Sequence, residues 1–481
     1  MNDMILILNF SDDFALETAR RLRAEQIYSR IISGATSAEQ IRAMEPKGII
    51  LSGEAYASLG VLDAGVLEMD VPVLALGHAS HMMLAAMGGA CAGTAIKEKK
   101  AAIEYGDSPL FTDVTGGERY LKETLTLMLP PDVEETARAS GCTIAFEHKA
   151  RRLYGVQFEL ERNDPDGTAL LKNFARDICG CEPWWSAEAI LCESERGLHE
   201  IAAQGGSAVC ALSGGVDSIV AAVLTHRAFG ERMLAVFVDT GLMRQNEAAQ
   251  IQMTCQELGI PLLRTDRSGD VLEALRGKRG GNEKREVVTS HLREEVIRQA
   301  GSVRDAHTLV LGTTYSDLLS FGSSHAASWQ ASGMAVCEPL SDLFKDEVRL
   351  LAQHLQLGED IVSRKPFPML GLAGRIPGDV TGDRLHALRI AEAIFREELC
   401  EAGLDRKLHK YFPVLAGGDV AMGSEMMILR AVTLSGGMLV PARLPYDVIE
   451  RTVGRIMREA PLITRVLYDE TPTATGSESF A

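Results

Sequence analysis

Ala208-Val209-Cys210-Ala211-Leu212-Ser213-Gly214-Gly215-Val216-Asp217-Ser218 is the stretch around which the rest of the chain can be ordered. Its first five residues are apolar or small and make a buried strand, and Ile219 to Ala228 continues as a helix. Between the two, Gly214 and Gly215 let the backbone come close to a ligand. The N–H groups of the loop and the positive end of the helix can then cradle phosphate oxygens. In that setting Asp217 is placed to hold a magnesium ion that offsets phosphate charge, Ser213 and Ser218 donate hydroxyl hydrogen bonds, and Val216 opens the helix. The same residues also describe a serine- and glycine-rich turn with a serine cap. The cradle is the better reading because strand, loop and helix follow in the order it needs.

Working outward, the strand-then-helix pattern repeats: Met233 to Val238 before Gln245 to Leu258, and later Thr308 to Leu311. A near-continuous apolar run such as Met233-Leu234-Ala235-Val236-Phe237-Val238 suits a parallel sheet covered on both faces. Nearer the start, Met4 to Leu8, Gly48 to Leu51 and Val71 to Leu76 alternate with helical stretches such as Phe14 to Ala24, a second wound α/β pattern. Cys179 to Trp185, with its Gly, Pro and paired tryptophans, reads as a linker, and the Pro/Gly cluster from Pro366 to Gly378 as another boundary. A helix from Asp383 to Cys400, short strands and the amphipathic stretch Tyr446 to Arg458 follow. The expected fold is α/β: two wound parallel-sheet domains, 1–178 and 186–365, then a small α+β domain, 366–481, ending in a polar tail.

At 481 residues the chain has room for three cores, and its 46% hydrophobic and 24% charged residues are ordinary for a globular protein. No apolar run approaches a membrane span, and Met1 to Leu8 carries no leader pattern, so a cytoplasmic protein with no membrane partner is expected. The nine cysteines are scattered apart from Cys179 and Cys181 and read as free thiols. With 49 basic against 66 acidic residues, the formal charge of −17 repels a phosphate backbone and argues against a nucleic-acid partner, although a local basic patch stays open.

The Ser213–Ser218 loop resembles that of enzymes that split ATP between the α and β phosphates, the adenine nucleotide alpha hydrolase-like or ATP pyrophosphatase group. Further segments resemble the GMP synthase family. Val238-Asp239-Thr240-Gly241-Leu242-Met243-Arg244 is similar to its second-strand motif, which puts Asp239 on the adenosine side. Phe344-Lys345-Asp346-Glu347-Val348-Arg349 is similar to its lysine segment, which implies that Lys345 contacts phosphate; the alternative is a solvated helix start. Cys179-Gly180-Cys181-Glu182-Pro183 resembles the family's linker, and Arg443-Leu444-Pro445-Tyr446-Asp447 its dimerisation domain. The resemblance spans nearly the whole chain. It implies ATP and Mg2+ as cofactors, Asp217 and Lys345 as catalytic residues, ammonia and a small-molecule acceptor as reactants, and a homodimer.

The first domain is similar to class I glutamine amidotransferases, but its chemistry is missing. Val71-Pro72-Val73-Leu74 leads to Ala75-Leu76-Gly77-His78, with Gly77 where the family has its nucleophilic cysteine. Gly155-Val156-Gln157-Phe158 leads to Glu159-Leu160-Glu161, so that Glu159 replaces the base histidine and only Glu161 is kept. Ser52-Gly53-Glu54-Ala55 brings a glutamate to the oxyanion segment, where it opposes developing negative charge. His78 and His81 read as surface or cap residues. A separate glutaminase remains an alternative source of ammonia.

The acceptor side is also altered. Arg285, Arg375 and Arg430 match basic positions of the family, and each is equally readable as a surface cation. The family's Gly-Pro pair in the loop near the acceptor becomes Met369-Leu370, side chains that suit an apolar ligand better than a phosphate. Ser324-His325-Ala326-Ala327 and Asp419-Val420-Ala421-Met422 depart from the family pattern, and Pro472 to Ser477 loses a lysine and a glutamate. The expected activity is adenylation of a carbonyl oxygen on a purine-like or other heterocyclic acceptor, followed by displacement with ammonia. Authentic GMP synthesis from xanthosine monophosphate and ATP-dependent sulfur transfer are the alternatives.

Overall fold

The computed structural model describes residues 3–10, 12–53, 62–158, 160, 165–321, 328–329, 333–365, 367, 369–417, 424–435 and 438–471. The chain divides into two compact units, Met1–Ala189 and Ile190–Ala481.

The first unit is built on a nine-stranded sheet. Its strands are β1 (Ile5–Asn9), β2 (Ser29–Ser33), β3 (Gly48–Gly53), β4 (Val73–Gly77), β5 (Ala90–Tyr105), β6 (Glu118–Met128), β7 (Glu134–Ala139), β8 (Cys142–His148) and β9 (Leu153–Val156), in the order β2-β1-β3-β4-β9-β8-β7-β5-β6. The pairs from β2 through to β9 are parallel and the remainder antiparallel. Residues Ile5 to Leu8 and Val73 to Leu76 are wholly buried, as a sheet covered on both faces requires. The residues read as a linker pack back onto this unit. Trp185 is 6% exposed, its ring 4.5 Å from Tyr28, and Trp184 Nε1 donates to the Asp3 carbonyl at 2.8 Å. Burying an indole N–H with a partner is what lets such a segment join the core.

The second unit holds β10 (Ser207–Leu212), β11 (Met233–Asp239), β12 (Leu262–Asp266), β13 (Ala306–Val310) and β14 (Ala335–Cys337), all parallel, in the order β12-β11-β10-β13-β14. The order reverses beside β10, which opens a crevice at the carboxyl end of that strand. The Ser213–Ser218 loop lies there. A second sheet of β15 (Lys410–Leu415), β16 (Glu425–Ser435), β17 (Met438–Pro441) and β18 (Ile463–Tyr468) is covered by the helices Gly382–Glu401 and Tyr446–Glu459. Both helices fall within a residue of the sequence reading. Residues on either side of Pro366 share one core: Leu242, Val271 and Val288 belong to the same buried cluster as Leu388, Met427 and Val448. Each such fully buried side chain contributes about 1.5–3 kcal/mol, so the parallel sheet and the C-terminal layer are held as one body. Among the described residues no helix is long and apolar enough to cross a membrane.

Candidate active site

The helix that follows β10 runs from Val216 to Phe229, with Gly215 at its N-cap and no side chain capping it, so its first-turn N–H groups have no side-chain acceptor. Gly214 has φ +84°, a conformation that favours glycine, and a Cβ there would lie 2.2 Å from Ile251 Cδ1, so that side chain would have to move. The two serines shape the loop from inside. Ser218 Oγ accepts from the Ser213 amide at 3.2 Å and donates to the Gly215 carbonyl at 3.0 Å, while Ser213 Oγ accepts from the Gly215 amide at 3.3 Å. The Arg364 guanidinium donates to the Gly214 carbonyl at 2.6 Å from the far side. Gly312, just after β13, lets that strand end press on the helix start: a Cβ there would sit 2.8 Å from Ser218 Cα.

Asp217 occupies the first turn of the helix. Its Oδ1 is buried and has no hydrogen-bond partner among the described residues. Burial pushes the carboxyl up to about 6; Lys345 opposes the shift, Asp317 adds to it, and Arg349 opposes it. Lys345 opens the helix Lys345–His354 and lies 3.3 Å from Asp317 Oδ1, with its side chain 42% exposed. The Asp317 Oδ2 accepts from the amide and hydroxyl of Thr314. Lys345 is thus a half-exposed helix start that also pairs with Asp317 and acts on Asp217.

A carboxylate oxygen that is buried, unpartnered and next to a phosphate cradle fits a magnesium ion. Mg2+ commonly takes one or two protein carboxylates and fills its remaining positions with phosphate oxygens and water. At the end of β11, Asp239 Oδ1 accepts from the Gly241 amide at 3.0 Å and Oδ2 pairs with Arg264 at 2.8 Å. Arg389 donates to the carbonyls of Gly241 and Met243, which fixes the turn after the strand.

The acceptor candidates separate. Arg375 is 9% exposed and sandwiched between Phe367, at 5.5 Å, and Phe412, at 5.0 Å. Arg285 is exposed, and its neighbour Lys284 is the buried cation, donating to the Ile376 carbonyl at 2.5 Å. Arg430 is not a surface cation: it is 5% exposed and pairs with Asp469. Met369 is 49% exposed, with its sulfur 3.4 Å from Thr289 Oγ1. Leu370 departs from the expectation of a ligand-facing side chain. It is 9% exposed in the core cluster with Leu372 and Ile376, where an isobutyl group gains more than at a polar opening.

In the first unit, Gly77 ends β4 with φ +60° and turns directly into the helix Ala79–Ala86, the sharp strand-to-helix bend of a nucleophile elbow. The His78 amide donates to the Gly53 carbonyl at 3.0 Å. His81 is corrected from a surface or cap residue to a buried one: it is 2% exposed, with Nε2 2.7 Å from Gln157 Oε1. Neighbouring parallel strands β4 and β9 bring these positions together. Glu54, Glu159, Glu161, Ser324 to Ala327, Asp419 to Met422 and Pro472 to Ser477 lie outside the described residues.

The sequence reading missed Asp317, Arg349, Arg364 and Gly312. Asp317 and Gly312 follow β13, the strand beside β10, so their place just past a strand's carboxyl end was an available signal.

A Ser-Gly-Gly-Val-Asp-Ser loop at the switch point of a parallel sheet, with a lysine and a buried carboxylate oxygen beside it, is the nucleotide site of the ATP pyrophosphatase class. Residues 194–379 match the family described as NAD synthase. Over its whole length the chain is 36% identical to a glutamine-hydrolyzing GMP synthase of Ruminiclostridium cellulolyticum (98% of this chain, 99% of the relative). It is 34% identical to that of Acetivibrio thermocellus and 35% to that of Geobacillus kaustophilus, each with 98% of this chain and 99% of the relative covered. The chain belongs to the GMP synthase family, and it is an ATP-dependent, ammonia-utilising ligase.

Proposed function

We propose that the chain adenylates a carbonyl oxygen of a purine-like or other heterocyclic acceptor, that free ammonia displaces AMP, and that its own first domain does not hydrolyse glutamine. The acceptor oxygen attacks the α-phosphorus of ATP as the bond to the β-phosphate oxygen breaks, and pyrophosphate leaves. Ammonia then adds to the acceptor carbon, loses a proton to solvent, and AMP departs with the former carbonyl oxygen. Magnesium bound with the nucleotide neutralises charge on the phosphates. Asp217 orients the phosphate side, the open first turn after Gly215 holds phosphate oxygens, and Lys345 is placed to follow the leaving pyrophosphate.

The observation that carries the glutaminase part is Gly77 at φ +60° on the elbow turn, where the backbone presents a position without any side chain to attack an amide. The relatives named above are described as glutamine-hydrolyzing; this chain carries glycine at the elbow position, and the Ser80 hydroxyl three residues on is turned back to the Gly77 carbonyl at 2.7 Å. The test compares ammonium and glutamine as nitrogen donors for the purified full chain. Ammonium alone should support acceptor-dependent AMP release, and glutamate formation from glutamine above a protein-free blank refutes the reading.

Sulfur transfer finds no ready thiolate in Cys210, Cys255 or Cys337. Burial pushes Cys210 up to about 12, and Cys255 and Cys337 up to about 11, so none supplies a thiolate near neutral pH.

A further inference from the structure

Beside the loop, wholly within the second unit, lies a cleft of about 1190 Å³ that begins at Lys345, Arg349 and Arg364 and extends to residues with no role above. Among the described residues it is lined by nine lysines and arginines against six carboxylates, in a chain whose formal charge is −17. Arg244 and Glu392 neutralise each other at 2.9 Å, which leaves eight cations against five carboxylates, and Glu247 accepts from the Arg244 amide at 3.0 Å. The cleft therefore concentrates positive potential where the rest of the surface carries the opposite sign.

Some of its cations stand at the loop and others line the cleft beyond it. Lys345 and Arg349 act electrostatically on Asp217, and Arg364 holds the Gly214 carbonyl. Lys365 comes next: it donates to the Leu408 carbonyl at 2.8 Å, which ties the wall after the loop to the segment before β15. Burial, with Arg349 nearby, lowers the Lys365 pKa, and Asp405 opposes that shift. Asp405 in turn neighbours Cys400, beside which Arg396 also lies. Arg406 and Lys407, both exposed, complete the outer wall. Arg396, Arg406 and Lys407 form no ion pair with another described residue, so the outer end offers charge that the protein itself does not neutralise.

We propose that this cleft is a second anion-binding subsite, which receives pyrophosphate released at the Ser213–Ser218 loop. The inference rests on the ATP-cleaving reading of that loop. A row of lysine and arginine side chains suits a compact polyanion, because each phosphate oxygen passes from one charge-assisted hydrogen bond to the next without returning to bulk water. Occupation of the outer end leaves the loop free for the next ATP, and makes inhibition by pyrophosphate more than simple competition with ATP.

The test is calorimetric titration of the full chain with magnesium pyrophosphate in the absence of ATP. Two sites are expected. The variant carrying Arg396→Gln, Arg406→Gln and Lys407→Gln should weaken one of them about tenfold or more and leave the other, whereas Asp217→Asn should weaken the other. Replacing the two arginines by lysine should retain the outer site, which separates loss of charge from loss of folding. The outer site should also weaken steeply between low and high salt. A single site in the unmodified chain, or two sites indifferent to the triple variant, overturns the inference and leaves the loop reading standing. No pyrophosphate binding at all overturns both.

Discussion

Replacing Asp217 by asparagine should make the ligand-free protein more stable while removing its activity. The carboxyl has an ordinary value of 3.8 and is raised to about 6 in the fold, chiefly by burial. An acid whose folded pKa lies above its unfolded one favours folding in its protonated form. Below about pH 4 the residue is protonated in both states and no penalty exists. As pH rises from about 4 to 6, the unfolded chain ionises first and the penalty grows; above about 6 it is constant. With 1.36 kcal/mol per pKa unit, the folded protein gives up about 3 kcal/mol at pH 8 and about 1.6 kcal/mol at pH 5. Asparagine has the same shape and no charge to desolvate, so the variant should recover that difference. For a unit of this size 1 kcal/mol moves Tm by about 2 °C, so the variant should melt roughly 6 °C higher at pH 8 and about half as much higher at pH 5. Scanning calorimetry of both proteins with EDTA across that range is the assay, paired with ATP–pyrophosphate exchange, which the variant should lose. Magnesium pyrophosphate should narrow the gap by stabilising the unmodified protein. A variant that melts lower at pH 8, or a difference that is the same at pH 5 and pH 8, refutes the argument that Asp217 is held at an energetic disadvantage for binding a cation.

Gly214→Ala should fold poorly or lose ATP binding by more than tenfold, because φ +84° and a 2.2 Å approach to Ile251 Cδ1 act together; an unchanged ATP affinity by equilibrium binding would show that the loop tolerates a Cβ. Light scattering at micromolar concentration should report a homodimer formed through the C-terminal layer, where Tyr446, Met457 and Leu467 stay exposed, and a monomer would count against it. Xanthosine monophosphate should be a poor acceptor. Removing one charged hydrogen bond to its phosphate costs about 1.5–3 kcal/mol, and the Pro472 to Ser477 segment lacks the family's lysine. Efficient GMP formation at micromolar acceptor with ATP, magnesium and ammonium would return the chain to ordinary GMP synthesis.

The pyrophosphate loop was legible in the sequence because its requirements are local. A strand must end, a glycine must take a left-handed φ, and a helix must begin with its N–H groups open, and all three are written in the residues from Ser207 to Phe229. The same holds for the elbow at Gly77, whose turn is set by the strand before it and the helix after it. What faces those backbone elements was not local. Lys345, Asp317 and Arg364 meet the loop only because β13 pairs with β10 and the chain crosses back twice, over a hundred residues later, to the same crevice. His81 became a buried partner of Gln157, 76 positions further along the chain, because β9 pairs with β4. Leu370 turned inward because the layers on either side of Pro366 share one core, a choice made by packing rather than by the loop's own composition. Residue type and neighbours determine backbone conformation over a few residues; strand order decides which distant charge a carboxylate meets, and so decided that Asp217 has a buried Oδ1 and feels Lys345, Asp317 and Arg349.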